Sequence, residues 1–126
     1  MPLVTLTVQR PKSAEFKSSV LQAVHAALVS IGVPADDRFQ RVLELSPEDF
    51  RFDPTYPDVR GARNADFVLV EVLLSAGRSV RIKRQFLDTL VSELSAAGHD
   101  PENVMLVFKE TTWENWAFAG GRQIHV

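Results

Sequence analysis

Two segments of the chain, 13–31 and 79–97, place apolar side chains at intervals of three and four residues, which is the period of one face of an α-helix. The apolar positions are Phe16, Val20, Val24, Leu28 and Ile31 in the first segment and Ile82, Phe86, Leu90 and Leu94 in the second. The pattern predicts two amphipathic helices, each with one face covered by the rest of the protein.

The ends of both helices are marked by residues that favour caps and stops. Ser13 and Ser79 stand just before the apolar stripes, where a hydroxyl oxygen accepts a hydrogen bond from a free backbone N–H of the first turn. Gly32 and Gly98 follow the stripes, and a proline comes soon after each of them. These residues predict helices that begin after the serines and end before the glycines.

Short β-branched and apolar stretches flank each helix, in segments 2–9, 39–45, 67–74 and 104–110. Their composition is typical of strands. Each half of the chain is therefore predicted to form a β-α-β unit, in which a right-handed crossover makes the two strands parallel neighbours. The predicted fold class is α+β, in the order β-α-β-β-α-β, with a four-stranded sheet and both helices on one face.

The two halves repeat one another at an offset of 66 residues. Matching pairs include Leu3 with Leu69, Ser13 with Ser79, Lys17 with Lys83, Gly32 with Gly98 and Glu44 with Glu110. The repeats span 2–50 and 68–116. We predict that the whole chain, 1–126, forms one domain with internal pseudo-symmetry.

Composition narrows the class of protein. The net charge is -2, so no overall positive charge attracts nucleic acid or acidic lipid. The chain has no cysteine, which excludes disulfides, thiolate metal sites and cysteine nucleophiles. No apolar run has the length of a membrane span, and no signal-peptide pattern is present. We expect a cytoplasmic protein without nucleic-acid or membrane partners.

The positions of the histidines and the absence of familiar motifs give no indication of a cofactor. His25, His99 and His125 are scattered and lack the spacing of metal ligands. His25 lies beside Val24 on the first predicted helix and is interpreted as a partly exposed helical residue. P-loop, GxGxxG, GxSxG and HExxH motifs are absent. We therefore expect neither a metal ion nor an organic cofactor.

Two segments lie outside the repeated elements. Residues 46–65 are rich in proline and charge and predict a long loop. In the tail, 111–126, Gly120-Gly121 indicates a sharp turn and Gln123–Val126 is interpreted as a short final strand. A small sheet with open edges and an aromatic tail favours pairing between chains, so we expect a homo-oligomer.

Pro2 is the first candidate for chemistry. A small second residue permits removal of the initiator methionine, which leaves proline as a free secondary amine. An α-amino group titrates near about 7.7–8.0, and burial beside apolar walls and cations lowers that pKa. Such an amine is a base or a nucleophile at neutral pH. The alternative interpretation is structural, because a proline that begins an edge strand leaves no N–H unpaired.

Arg78 and Arg81 flank the start of the second predicted helix. A helix N-terminus carries partial positive charge, so an arginine in the first turn is unfavourable there, and the first repeat has Glu15 where the second has Arg81. The first repeat follows the preference for an acidic residue at this position and the second does not, which indicates that Arg81 has a functional role. Two guanidinium groups with free backbone N–H groups make a receptor for a carboxylate. The alternative is that both arginines are solvated surface residues.

Trp113, Trp116 and Phe118 follow the last predicted strand. They are interpreted either as core or oligomer interface, or as the low-dielectric wall that lowers the pKa of the Pro2 amine. If the first strands of the two repeats are parallel neighbours, Arg78 lies at the opposite end of the sheet from Pro2. Arg78 would then reach the Pro2 site from an adjacent chain.

Four features together resemble the tautomerase superfamily: Pro2, the doubled β-α-β unit, the sequence from Gly77 to Lys83 (GRSxxxK), and the stretch from Glu114 to Gly121 (ENWxFxGG). More narrowly, the chain is similar to the branch that contains malonate semialdehyde decarboxylase and cis-3-chloroacrylic acid dehalogenase. The resemblance implies a β-α-β-β-α-β subunit, a homotrimer, catalysis by the N-terminal proline and a small carboxylate substrate.

The site residues that the resemblance assigns are Pro2 and Asp37 for catalysis and Arg78, Arg81, Trp116 and Phe118 for substrate binding. Asp36 is the alternative acid if the alignment shifts by one residue. Many members of the family carry an acidic residue at the position of Arg81, so this chain departs from the common pattern there. The loop 46–65 matches no motif of the family.

The protonation state of Pro2 separates two reactions. A neutral amine moves a proton between carbon and oxygen and converts an enol to its 2-oxo acid, whereas an ammonium group polarises a carbonyl or protonates carbon. Because a nearby carboxylate raises the pKa of an amine, Asp37 favours the ammonium. The sequence thus predicts a decarboxylase or hydratase-like enzyme acting on a short oxo-acid.

Three alternatives remain at this level. The first is a keto–enol tautomerase of a phenylpyruvate-like 2-oxo acid. The second is a ferredoxin-like ligand-binding module without chemistry, and the third is a structural trimer that has lost activity.

Overall fold

The computed structural model describes residues 1–126 and contains one sheet and two long helices. Along the chain the elements are β1 (Leu3–Gln9), α1 (Ala14–Ser30), β2 (Gln40–Leu45), β3 (Val68–Ser75), α2 (Val80–Ala96) and β4 (Val104–Thr111). Short 3-10 turns lie at Pro101–Asn103 and Trp113–Asn115. This order of elements confirms the predicted fold class.

Both helices begin at the serine caps that the sequence predicts. The Ser13 hydroxyl accepts a hydrogen bond from the N–H of Phe16 at 3.0 Å, and the Ser79 hydroxyl accepts one from the N–H of Ile82 at 3.2 Å. Gly32 follows α1 with a φ of 101°, a conformation that side chains disfavour and that ends a helix.

The sheet has the order β2-β1-β3-β4. β1 is parallel to β2 and β3 is parallel to β4, but the central strands β1 and β3 are antiparallel, with Leu3 opposite Leu73. The parallel pairing of the two first strands considered above is therefore wrong. When the helix covers a given face of the sheet, the direction of the first strand decides on which side of it a right-handed β-α-β unit places its second strand. If the first strands of the two units are neighbours in the centre, their second strands lie on the two outer sides only when the first strands run in opposite directions.

The core lies between the two helices and one face of the sheet. Its strand residues are Val4, Leu6 and Val8 on β1 and Val68, Val70, Val72 and Leu74 on β3. Its helix residues are Val20, Ala23, Val24, Ala27 and Leu28 on α1 and Phe86, Leu90 and Leu94 on α2. Because both helices join one cluster with alternate strand residues, they cover the same face of the sheet. Neither helix is long and apolar enough to span a membrane.

Segment 46–65 forms the predicted loop and packs near the end of β1. The rings of Phe50 and Phe52 lie 5.7 and 4.5 Å from the ring of Phe67. The side chain of Gln9 donates a hydrogen bond to the carbonyl of Phe50 at 2.8 Å. These contacts hold the loop at the edge of the sheet opposite Pro2.

The tail differs from the prediction at its end. Residues 123–126 form no strand, and the tail contains a single bridge between Ala119 and Arg122. Between them, Gly120 and Gly121 have φ angles of 57° and 69°, which favour glycine. The tight turn reverses the chain so that Ala119 pairs with Arg122, and the residues after Arg122 pair with no strand.

Candidate active site

The candidate residues lie together at one edge of the sheet, the edge formed by the ends of its strands. β1 begins at this edge and its antiparallel neighbour β3 ends there, so Pro2 and the segment after Ser75 lie side by side. The loop before β2 and the segment after β4 reach the same edge, because β2 is parallel to β1 and β4 is parallel to β3. Arg78 therefore approaches the N-terminus within one chain, which corrects the expectation that an adjacent chain supplies it.

The terminal amino group lies beside an acid. The nitrogen of Met1 is 3.8 Å from Oδ2 of Asp37, whose side chain is 10% exposed. Pro2, the next residue, is buried. Removal of Met1 would make the Pro2 nitrogen the terminal amine, one residue along the chain. The Met1 amine lies one residue before the Pro2 nitrogen, so it marks the end of the sheet at which a Pro2 amine would stand.

These surroundings lower the pKa of the Met1 amino group below its ordinary value. Burial is the largest cause, because an ammonium group loses hydration away from water, and Arg78 acts in the same direction. Asp37 opposes both and raises the pKa. The net shift of this pKa is downward and favours the neutral amine. The sequence analysis considered only the effect of Asp37, which raises the pKa, and therefore favoured the ammonium form.

The two arginines have different surroundings. Arg78 is half-buried, and its Nη1 donates a hydrogen bond to the carbonyl of Ser75 at 3.3 Å. It lines a cavity of about 290 Å³ together with Met1 and Asp37. Arg81 is exposed in the first turn of α2 and lines no cavity. Within one chain, the fold brings Arg78 to the amine but leaves Arg81 outside.

The same cavity has an aromatic wall from the tail. Trp113 and His125 both line it, and their rings lie 4.2 Å apart. In the sequence, His125 has no ligand spacing and stands next to the chain end, so no pattern marks it. The turn at Gly120-Gly121 brings the end of the chain back over the edge of the sheet.

A second cavity, of about 210 Å³, opens on the apolar side of the N-terminus. Pro2, Phe39, Trp116 and Phe118 line it, and the rings of Trp116 and Phe118 stack with centroids 5.6 Å apart. Phe39 is 51% exposed, and no pattern in the sequence marked it as a residue that lines this cavity. Its one signal is its place two residues after Asp37, in the same loop.

Asp37 lacks the side-chain hydrogen bonds that its counterpart in the second repeat makes. The offset of 66 residues matches Asp37 with Asn103. Asn103 is buried, accepts a hydrogen bond from the N–H of Asn64 at 3.0 Å and donates one to the side-chain oxygen of Asn64 at 3.1 Å. Oδ1 of Asp37 is also buried but has no hydrogen-bond partner. Because buried polar atoms normally have a partner, this oxygen is free to accept a hydrogen bond from a water molecule or a ligand.

The alternative acid, Asp36, has a different setting. It is exposed, and its backbone carbonyl accepts a hydrogen bond from the N–H of Arg38 at 2.9 Å. The carboxylate beside the amine is therefore that of Asp37. No group of three or more His, Cys, Asp or Glu side chains is arranged to hold a metal ion.

Known proteins are similar to nearly the whole chain, as three examples show. The probable tautomerase YusQ of Bacillus subtilis (strain 168) is 25% identical over 124 residues, covering 97% of this chain and 96% of YusQ. A crystal structure of malonate semialdehyde decarboxylase has a TM-score of 0.86 at 29% identity, covering 96% of this chain and 93% of that chain. A fused 4-OT described as a wild-type symmetric trimer has a TM-score of 0.68 at 25% identity, covering 95% and 94%.

The sequence profile of the family described as "Tautomerase enzyme" matches residues 37–119, more than half of the chain. The matched range includes Asp37, Arg78, Trp116 and Phe118 and begins after Pro2. Together with the structural similarity, it confirms the resemblance seen in the sequence. The chain belongs to the tautomerase superfamily, whose members are isomerase- and lyase-type enzymes, and within it to the branch that resembles malonate semialdehyde decarboxylase.

Proposed function

We propose that this enzyme uses the amino group of Pro2 as an acid or base on a small oxo-carboxylate, in the manner of a malonate semialdehyde decarboxylase or hydratase. The observation that carries the proposal is the Met1 amine, next to the buried Pro2, 3.8 Å from Asp37 and in a cavity that Arg78 also lines. An amine, an acid and a guanidinium group around one cavity are suited to proton transfer on a bound carboxylate. The similarity to a decarboxylase at a TM-score of 0.86 supports this substrate class.

In the proposed decarboxylation, Arg78 holds the substrate through charge-assisted hydrogen bonds to its carboxylate. The protonated Pro2 amine donates a hydrogen bond to the aldehyde oxygen and stabilises the enolate that forms as the bond to the carboxyl carbon breaks. The enolate carbon takes a proton from the Pro2 ammonium, acetaldehyde and carbon dioxide leave, and the neutral amine takes a proton back from water. Asp37 stabilises the ammonium form of the amine, and the apolar side chains of Trp116 and Phe118 limit access of water.

A second candidate reaction is keto–enol tautomerisation of a phenylpyruvate-like 2-oxo acid. Burial lowers the pKa of the Met1 amino group, which favours a neutral base that takes the proton of an enol hydroxyl. The cavity bordered by Phe39 and Trp116 measures about 210 Å³. A cavity of about 150 Å³ binds benzene, so an aromatic ring fits beside Pro2.

Proton NMR tests both reactions on the protein from which Met1 has been removed. We expect acetaldehyde from malonate semialdehyde, and slower ketonisation of phenylenolpyruvate alongside it. The pH dependence identifies the working state: a reaction that needs the ammonium slows as the pH rises through the pKa of the amine, whereas one that needs the neutral amine speeds up. Turnover of neither substrate would contradict the proposal.

Arg78 is proposed to bind the substrate carboxylate, so its replacement should weaken binding. A hydrogen bond to a charged group contributes about 1.5–3 kcal/mol, and Arg78→Ala should raise KM by about 10- to 100-fold. Arg81→Ala is the matched control, because Arg81 is exposed and lines no cavity. Steady-state kinetics on both variants should show the smaller rise for Arg81→Ala. An equal rise would show that Arg81, from the same or an adjacent chain, shares the carboxylate, and an unchanged KM in Arg78→Ala would contradict its role.

We also propose that the enzyme is a homotrimer. On the sheet face away from the helices, Leu43, Met105 and Val107 are 44%, 47% and 37% exposed. Association between chains would cover this apolar surface. The fused 4-OT of the same fold is described as a symmetric trimer, which supports the same assembly. Light scattering should give three times the mass of one chain, and a monomeric mass would refute the proposal.

A further inference from the structure

His25 is the one buried histidine of the chain and is only 7% exposed, so its interpretation as a partly exposed helical residue is wrong. Its Nε2 lies 2.9 Å from the carbonyl oxygen of Ala35, to which the ring donates an N–H. The physical reason for the burial is this contact, since the loop between α1 and β2 folds back onto the ring. His25 therefore joins α1 to the loop that carries Asp37.

Ala35 lies inside the turn that places Asp37. The N–H of Asp37 donates a hydrogen bond to the carbonyl of Pro34 at 3.0 Å, which closes residues 34–37 as a β-turn. The carbonyl that His25 holds belongs to the central peptide of this turn. The bond from His25 therefore ties the middle of the turn to α1. Because Asp37 closes the same turn, this bond holds the backbone of Asp37 at a fixed distance from the helix.

The second repeat holds its matching turn in another way. Val91 occupies the position that corresponds to His25, and it is 48% exposed. The turn is instead capped locally, because the side chain of Asp100 accepts a hydrogen bond from the N–H of Glu102 at 3.0 Å. The first repeat has Pro34 in place of Asp100 and so has no acceptor side chain there. The repeat whose acid lies beside the terminal amine is the one in which a bond from the helix replaces the local cap.

We infer that His25 is a positioning residue, whose ring N–H fixes the turn bearing Asp37 and so sets the separation between the Asp37 carboxylate and the terminal amine. This inference rests on the proposed function, in which Asp37 acts on the Pro2 amine. His25 lines neither cavity at the amine. Its effect on catalysis passes through Asp37.

The test measures the pKa of the Pro2 amine by NMR titration of ¹⁵N-proline-labelled protein after removal of Met1. His25→Leu removes the donor and keeps an apolar filling, whereas His25→Gln keeps an N–H donor at similar reach. Val91→Leu is the matched control at the corresponding position of α2. Asp37→Asn gives the full size of the carboxylate effect. Arg78 and His125, the other charged or titratable groups lining the cavity, stay unchanged in every variant.

We expect Asp37→Asn to lower the pKa of the amine, because it removes the negative charge that raises it. His25→Leu should lower that pKa by at least about a third as much, since the Coulomb interaction weakens with distance. His25→Gln and Val91→Leu should leave the pKa unchanged. Thermal unfolding of each variant verifies that the fold is intact. If His25→Leu does not fold, His25→Asn, whose amide is too short to reach Ala35, takes its place.

The two levels of failure are distinguishable. An unchanged pKa in Asp37→Asn would show that Asp37 does not act on the amine, which overturns the pairing in the proposed function. A shift in Asp37→Asn without a shift in a folded His25→Leu variant would overturn the inference alone. An equal shift in His25→Leu and His25→Gln would also overturn it, because packing rather than the donated hydrogen bond would then be responsible.

Discussion

Blocking the Pro2 nitrogen is expected to lower kcat/KM by about 100- to 10,000-fold, the usual contribution of a general acid or base. In a chain with an N-terminal extension, the Pro2 nitrogen stays in a peptide bond and neither accepts nor donates a proton. The Asp37 carboxylate and the Arg78 guanidinium group remain in the chain, so the loss reports on the blocked amine together with the cavity space that the added residues fill. The measurement is steady-state kinetics on the extended and the processed protein, with the N-terminus of each verified by intact mass.

Pro2→Ala is the matched control for the blocked chain. A small alanine also permits removal of Met1, and it leaves a primary amine at the same position. We expect this variant to retain more activity than the extended chain, because a free amine is still present in the cavity. Full activity in a chain whose extension is intact would remove the amine from the mechanism and favour a binding module without Pro2 chemistry.

Phe86→Ala is expected to lower the free energy of unfolding by about 3–5 kcal/mol, the range for removing a buried aromatic ring. Phe86 is 0% exposed and packs edge to face with Phe108, with the ring centroids 5.2 Å apart. Truncation leaves a cavity between α2 and the sheet that its neighbours fill only in part. Urea unfolding of the variant and the parent protein, compared at one protein concentration, gives the difference.

Leu87→Ala is the control for this loss, because Leu87 is adjacent on α2 but 37% exposed. Its truncation should cost no more than about 1 kcal/mol, since it creates no enclosed cavity. Equal losses in the two variants would mean that Phe86 is not a principal core residue. Such a result would also contradict the predicted apolar stripe of the second helix.

Local signals predicted the helices closely. The segments 13–31 and 79–97 differ from the observed α1 and α2 by one residue at each end. Caps and apolar periodicity act between residues close in sequence, so they can be read without the fold. The antiparallel pairing of β1 and β3 follows from right-handed crossovers with both helices on one face, but only when these two strands are the central neighbours, and local signals do not show that they are.

The candidate site could be predicted only in part. Pro2, Asp37 and Arg78 were identified from position and resemblance, and the fold brings all three to one edge of the sheet. Phe39 and His125 were missed because they join the site through the loop before β2 and the turn of the tail. The positions of Phe39 and His125 follow no periodic pattern in the sequence, so the pattern does not reveal them.

The sequence by itself determined the two β-α-β repeats and the residue types available for chemistry, because these depend on neighbours along the chain. Only the tertiary structure decided that Arg78 rather than Arg81 lines the cavity, and that His25 is buried against the Asp37 turn. The direction of the pKa shift of the terminal amine is also determined by the tertiary structure. Burial and Asp37 act on that amine in opposite directions, so their balance depends on distances and solvent access that no residue pattern contains.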